Sequence, residues 1–207
     1  MKDNNNVRLS GKLIDKLVLD HEVYGEKFYR TYCGCYRTSG YRDGVPVIIS
    51  EKLLVGLPVT TGIAMEIEGQ IRTHNRLKDG KSISNIYIFA TDLKFIEKAA
   101  NTNEVSLTGH VCRKADYRET SGERVVADFL LAVNRAYGKS DYIPVIVWGR
   151  NAKFARKIEV GQRFEVEGRF QSRIYTKKLP DGTLTQKVAY ELSASKLTRM
   201  EDTENEI

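Results

Sequence analysis

The chain repeats itself, and the length of the repeat decides what it can fold into. Val7-Arg8-Leu9-Ser10-Gly11 stands ninety-eight positions before Val105-Ser106-Leu107-Thr108-Gly109, and at the same offset Val45-Pro46-Val47-Ile48-Ile49 answers Ile143-Pro144-Val145-Ile146-Val147. One residue further out of step, Thr61-Gly62-Ile63-Ala64-Met65-Glu66-Ile67-Glu68-Gly69 answers Val160-Gly161-Gln162-Arg163-Phe164-Glu165-Val166-Glu167-Gly168. A unit this long can bury a core of its own, so it is a domain rather than one turn of a solenoid. Two domains of roughly 100 residues suit the chain. The expected boundaries are 1–99, 103–200 and a short acidic tail, 201–207. Comparing the copies position by position shows what one has and the other lacks.

In copy two, Val105 to Val111 opens as a strand, and Val125 to Asn134 follows with Ala127, Phe129, Leu131 and Val133 on one face. Tyr142 to Trp148 is a third strand. Asn151 to Ile158 is a short helix candidate, with Phe154 and Ile158 four apart on one side and Gly161 beyond its end. Phe164 to Thr176 reads as a long fourth strand, with a bulge or bend at Gly168. Asp181-Gly182 signals a hairpin that returns as Lys187 to Leu197. Five strands with a helix between the third and fourth predict an all-β chain of two tandem OB-folds, small Greek-key barrels. Copy one follows suit, with Asp79-Gly80 at its hairpin and Ile83 to Ala90 as its last strand; its helix is poorer, because Gly56 and Pro58 cut short the run from Glu51.

Charge separates the copies. Residues 1–102 carry 15 Lys/Arg against 12 Asp/Glu, residues 103–200 carry 18 against 11, and the last seven residues carry four acids and no base. A basic second copy points to a polyanionic partner. No apolar run approaches the ~18 residues of a membrane span, and the N-terminus does not resemble a signal peptide. Cys33 and Cys35 read as buried free thiols on one strand face, in keeping with a reducing cytoplasm, and no cofactor is expected. Catalysis finds no signature: His21, His74 and His110 lack metal-ligand spacing, and there is neither a phosphate-binding Gly-Lys-Ser/Thr loop nor a nucleophile elbow.

On the fourth strand of copy two, Arg169, Gln171, Arg173 and Tyr175 share one face, while Phe170 and Ile174 take the core-directed other. Tyr142 and Trp148 share a parity on the third strand, and Tyr137 sits in the preceding turn beside Arg135 and Lys139. Cations interleaved with aromatics suit single-stranded nucleic acid: the cations neutralise phosphates and ring faces stack on unpaired bases, each stack worth roughly 1–3 kcal/mol. Taken singly, each ring could equally be strand packing.

Copy two resembles the bacterial single-stranded DNA-binding proteins over nearly its whole length. The resemblance lies in residues 103–109, in Phe129-Leu130-Leu131-Ala132-Val133-Asn134-Arg135, in Val145-Ile146-Val147-Trp148-Gly149-Arg150-Asn151-Ala152 and in residues 161–173. It implies base-stacking aromatics at Tyr137, Tyr142, Trp148 and Tyr175, with Arg135, Arg150, Arg169 and Arg173 as basic contacts. Through the repeat these four platforms fall on Ser39, Gly44, Ser50 and Arg76, so copy one has none. Copy one does retain Gln70, Arg72, His74 and Arg76 on its fourth strand, and Arg72, His74 and Arg76 are expected to make weaker phosphate contacts. Its aromatics Phe28, Tyr29, Tyr32 and Tyr36 cluster in the second strand, where packing is the stronger reading.

The resemblance implies sequence-tolerant, non-catalytic binding of single-stranded DNA in replication, recombination or repair, at a cytoplasmic, nucleoid-associated location. Family members with one barrel usually act as tetramers, so two barrels per chain imply a homodimer with four OB-folds. The tail, Glu201 to Ile207, resembles the family's acidic recruiting tips, without their long linker or Pro-Phe ending, so replication or repair proteins are possible partners through it or through copy one. Two alternatives stay open: a replication-restart or phage/plasmid accessory protein docking through copy one, and an OB-fold that binds RNA or protein.

Overall fold

A computed structural model describes residues 4–57, 59–78, 81–120 and 122–201, with the side chains of 76–78 and 81–83 excepted. The hairpin expected at Asp79-Gly80, the Arg76 side chain and nearly all of the acidic tail lie outside these residues. The first half holds β1 (Asn5–Leu13), β2 (Val18–Val23), β3 (Glu26–Tyr36), β4 (Arg42–Ser50), α1 (Glu51–Leu54), β5 (Ala64–Lys78) and β6 (Lys81–Phe95). The second holds β7 (Asn103–Glu119), β8 (Val125–Asn134), β9 (Ser140–Trp148), α2 (Arg150–Ala155), β10 (Arg163–Lys178) and β11 (Leu184–Arg199). Among the described residues no helix is long and apolar enough to cross a membrane.

Each half closes into the expected OB barrel. In barrel one, β1 pairs with both β5 and β3, β5 with β6, β3 with β4, and a short parallel contact joins β4 to β6. Barrel two repeats this ring with β7, β10, β8, β9 and β11. Alternation drives the closure: Phe129, Leu131 and Val133 point inward from β8 and Val145 and Val147 from β9, all fully buried. Glycine marks the bend in each long strand. Register shifts occur at Glu68/Gly69 and Glu167/Gly168, and a Cβ on Gly168 would run into the Ser193 carbonyl oxygen.

Three local expectations need correction. The helix in barrel two begins at Arg150 and ends at Ala155, because Lys157 and Ile158 donate their amides three residues back to Phe154 and Ala155, tightening the last turn out of α geometry. Its buried residues are Ala152 and Ala155, with Ile158 just beyond, while Phe154 is 44% exposed and meets Phe164 by a ring edge. Ile174 is not a core residue. It is 57% exposed, since β10 and β11 continue as a hairpin past the barrel wall and alternation no longer has an inside there. Strand β7 also runs on past Val111 to Glu119 through bulges near Arg113.

The barrels are joined by their equivalent first strands. β1 and β7 pair antiparallel with Val7 opposite Val105, Asn5 opposite Leu107 and Leu9 opposite Asn103, so the repeat offset maps this ladder onto itself. An approximate two-fold axis therefore passes between Val7 and Val105, both buried, and one apolar cluster runs through the two cores. Polar bonds obey the same symmetry. The Asn5 side chain bridges the Ile71 amide and carbonyl (2.8 Å each), and Asn103 does so for Phe170 (2.9 and 2.7 Å). Asp43, 1% exposed, accepts from Arg37 (2.7 and 2.6 Å) and from the Ser172 amide (2.8 Å) of the other barrel. Asp141, fully buried, accepts from Arg135 and from the Thr73 amide (2.5 Å). Each arginine closes its clamp on the opposite carbonyl: Arg37 on Ser172 (3.1 Å), Arg135 on Thr73 (2.7 Å).

Candidate nucleic-acid interface

Trp148 closes β9 at a position where the strand leaves the barrel wall, and its ring is 44% exposed. It stands between two depressions. One, of about 570 Å³, lies at the barrel boundary and is lined by Arg124, Trp148, Arg169 and Arg173 from barrel two and by Arg37 and Tyr41 from barrel one. The other, of about 490 Å³, runs from Trp148 to α2 and is lined by Arg124, Arg150 and Lys153, with Glu123 as its one acid. The result is one basic track with an indole in its middle.

Electrostatics within the track are uneven. Arg173 is held by Glu191 (3.2 and 3.4 Å), and its guanidinium lies 5.8 Å from the Tyr175 ring centroid, leaving that ring 37% exposed on the hairpin. Arg169 makes no ion pair among the described residues. Its Nη2 donates weakly to Gln171 (3.4 Å), and its buried Nε has no partner. Burial, then the neighbouring Arg37 charge, pull its pKa below the usual guanidinium value. A half-buried cation that makes no ion pair is stabilised by an incoming phosphate. Gln171, expected on the same exposed face, is instead buried and donates to Glu191 (2.9 Å).

Of the residues expected from sequence, Trp148, Arg150, Arg169 and Arg173 line this track, and Tyr175 adjoins it through Arg173. Tyr142 and Tyr137 do not join it. Tyr142 is 49% exposed and six residues back along β9, roughly 20 Å from Trp148. Its amide donates to Thr73 Oγ1 (3.2 Å), which places it against β5 of barrel one. Tyr137 is fully exposed at a turn tip with φ of 68°. Arg135 is committed to the Asp141 clamp, which raises its pKa, and so stands as a positioning group rather than an open cation.

In barrel one, Arg72 is bound by Asp141 (3.1 Å) and Gln70, while His74 is exposed. The platform position is reversed in character. Ser50 lies opposite Phe28 as Trp148 lies opposite Val126, and Glu26 occupies the place of Arg124. Glu26 accepts from Lys52 and from Ser50 Oγ, bonds that lower its pKa and hold an anion where barrel two offers a ring. Sequence reasoning missed Arg124, Arg37 and Tyr41. Arg124 was within reach, since it stands two residues before the cross-strand partner of Trp148. Arg37 and Tyr41 come from the other copy, and no spacing within copy two signals them. Among the described residues no cluster of three or more His, Cys, Asp or Glu side chains could hold a metal ion, and Cys33 and Cys35 are buried free thiols.

A family model described as the single-strand binding protein family matches residues 102–200. The chain is 36% identical over 100 residues to a single-stranded DNA-binding protein of Clostridium tetani, covering 44% of this chain and 68% of that protein. It is 35% identical over 80 residues to a single-stranded DNA-binding protein of Bacillus cereus, covering 35% of this chain and 47% of that one. Among solved structures, the wild-type single-stranded DNA-binding protein of Thermus aquaticus superposes with a TM-score of 0.76 at 20% identity, covering 98% of this chain and 96% of that chain. At that identity the likeness concerns the fold.

Proposed function

Because the chain belongs to the single-strand binding protein family, we propose that it binds single-stranded DNA with little regard to sequence, without catalysis, in replication, recombination or repair. The observation that carries this reading is Trp148, half exposed between two depressions rich in arginine. Bases stack on the indole and on Tyr175, while Arg124, Arg150, Arg169 and Arg173 accompany the backbone. Arg169 is a strong phosphate candidate, since it makes no ion pair among the described residues and its buried Nε has no partner. Tyr142, Tyr137, Arg72 and His74 belong to a second, weaker stretch along the barrel boundary. The reading includes a homodimer of four barrels and a cytoplasmic, nucleoid-associated location.

Trp148 is the only tryptophan, so its fluorescence reports on the site directly. Titration with an oligo-dT of about 16 nucleotides is expected to quench it strongly. Raising salt is expected to weaken binding with a log–log slope near −0.7 per phosphate contacted. Trp148→Ala is expected to weaken binding by about 1–3 kcal/mol. Equal affinity for duplex DNA, or binding without quenching, would overturn the assignment, and an equal-length RNA competitor tests the preference for DNA.

A further inference from the structure

The groove beside Trp148 has two walls, and one of them belongs to the barrel that has no aromatics at the counterpart platform positions. Tyr41 closes the β3–β4 turn, in which Arg37 donates its amide to the Tyr41 carbonyl (2.8 Å) and Gly40 adopts φ of 82°. The Arg37 guanidinium lies 4.6 Å from the Tyr41 ring centroid and is itself fixed by the bidentate bond to Asp43. The ring thus has a stiff cationic backing and remains 42% exposed in the wall facing Trp148 and Arg169. A half-exposed tyrosine braced in this way can accept a base with little further loss of side-chain freedom.

The repeat sharpens the point. The approximate two-fold generates a second groove in which the same positions are occupied by Lys139 for Tyr41, Ser50 for Trp148, Glu26 for Arg124 and Gln70 for Arg169. Copy two has no aromatic at the turn position where copy one has Tyr41. Copy one has none at the strand end where copy two has Trp148. At both positions the ring stands beside the Trp148 groove and not at its counterpart; the copy-two turn carries its own tyrosine two residues earlier, Tyr137, fully exposed at the tip.

From this, and resting on the proposed binding of single-stranded DNA, we infer that Tyr41 is a base platform, so that the site is composite and the strand passes from Trp148 over Arg169 onto barrel one. Barrel one is then part of the binding path at this point, although its own strand face carries no aromatic platform. One nucleotide is shared across the boundary: its base lies on Tyr41 and its phosphate meets Arg169.

The test uses the full chain and oligo-dT, read by Trp148 fluorescence. Tyr41→Ala is expected to weaken binding about 5- to 100-fold, the equivalent of one stacking platform. Tyr41→Phe is expected to stay within about twofold of the unmodified protein, as is Tyr24→Ala, a fully exposed tyrosine at the β2–β3 turn. Photocrosslinking of the unmodified protein with an iododeoxyuridine-containing oligomer is expected to label a peptide at Tyr41, which frees the test from any effect of substitution on folding. Normal quenching in Tyr41→Ala with unchanged affinity, together with no crosslink at Tyr41, overturns the composite site and leaves DNA binding standing. If the unmodified chain neither binds nor quenches, the functional reading itself fails and this inference goes with it.

Discussion

Arg135 and Arg169 carry the same charge and were equal candidates for a phosphate. Their surroundings separate them. Arg135 closes a clamp on a fully buried carboxylate and on a carbonyl of the other barrel, whereas Arg169 has a buried, unpaired nitrogen and a like charge beside it. Arg135→Ala leaves Asp141 short of its main partner and is expected to lower stability by about 3 kcal/mol, with the salt slope of DNA binding unchanged. Arg169→Gln is expected to alter stability by no more than about 0.5 kcal/mol and to make the salt slope shallower by about 0.7. Denaturant melts and salt titrations of both variants check the pair. Strand parity assigns Arg169, Arg173 and Tyr175 to one face; the two arginines line the track and Tyr175 adjoins Arg173. Parity carries no information about which carboxylate meets a guanidinium across a turn, so the Arg135 clamp is not legible in the sequence.

At the level of elements, the strand order and the position of each helix were legible because alternation and turn residues are local signals. What was not legible lies where an element meets something outside its own repeat. Ile174 reads as core by alternation, yet it stands on a hairpin that has left the barrel. Tyr190 on β11 is another such case. It stacks on Phe170 and meets Tyr32 of β3, an encounter between barrels invisible in either copy alone. Burial first, and then Tyr32, push the Tyr190 hydroxyl up to about 12 from an ordinary value near 10. Unfolded chains ionise this group at the lower value, so the folded state loses ground as pH rises between the two. The Tyr190 contribution to stability is expected to be flat up to about pH 10 and to fall by up to roughly 2 kcal/mol by pH 12, and Tyr190→Phe to remove that part of the decline. Tyrosinate absorbance and thermal melts across this range measure it.

Across the whole molecule, the two barrels share a strand ladder, a continuous apolar cluster and two mirrored aspartate clamps. Unfolding one barrel therefore exposes the other. The intact chain is expected to melt in a single calorimetric transition, and Asp43→Ala with Asp141→Ala to split it in two, each substitution lowering stability by about 3 kcal/mol. A double variant that still melts once, at the original temperature, would show that the clamps carry little of the coupling. The repeat announced two similar domains. It could not announce their pairing, since the β1–β7 ladder joins strands whose sequences would serve equally well at a free edge.

That ladder has an evolutionary and a physical consequence. In a symmetric pair of separate chains every substitution is made twice and dilution dissolves the pair. Here the partners are tethered, so their encounter is intramolecular and persists at any concentration. A change in one groove leaves its twin untouched. Covalent linkage lets one face carry rings and cations while the other carries Glu26 and Ser50, a heterodimer made from a single polypeptide.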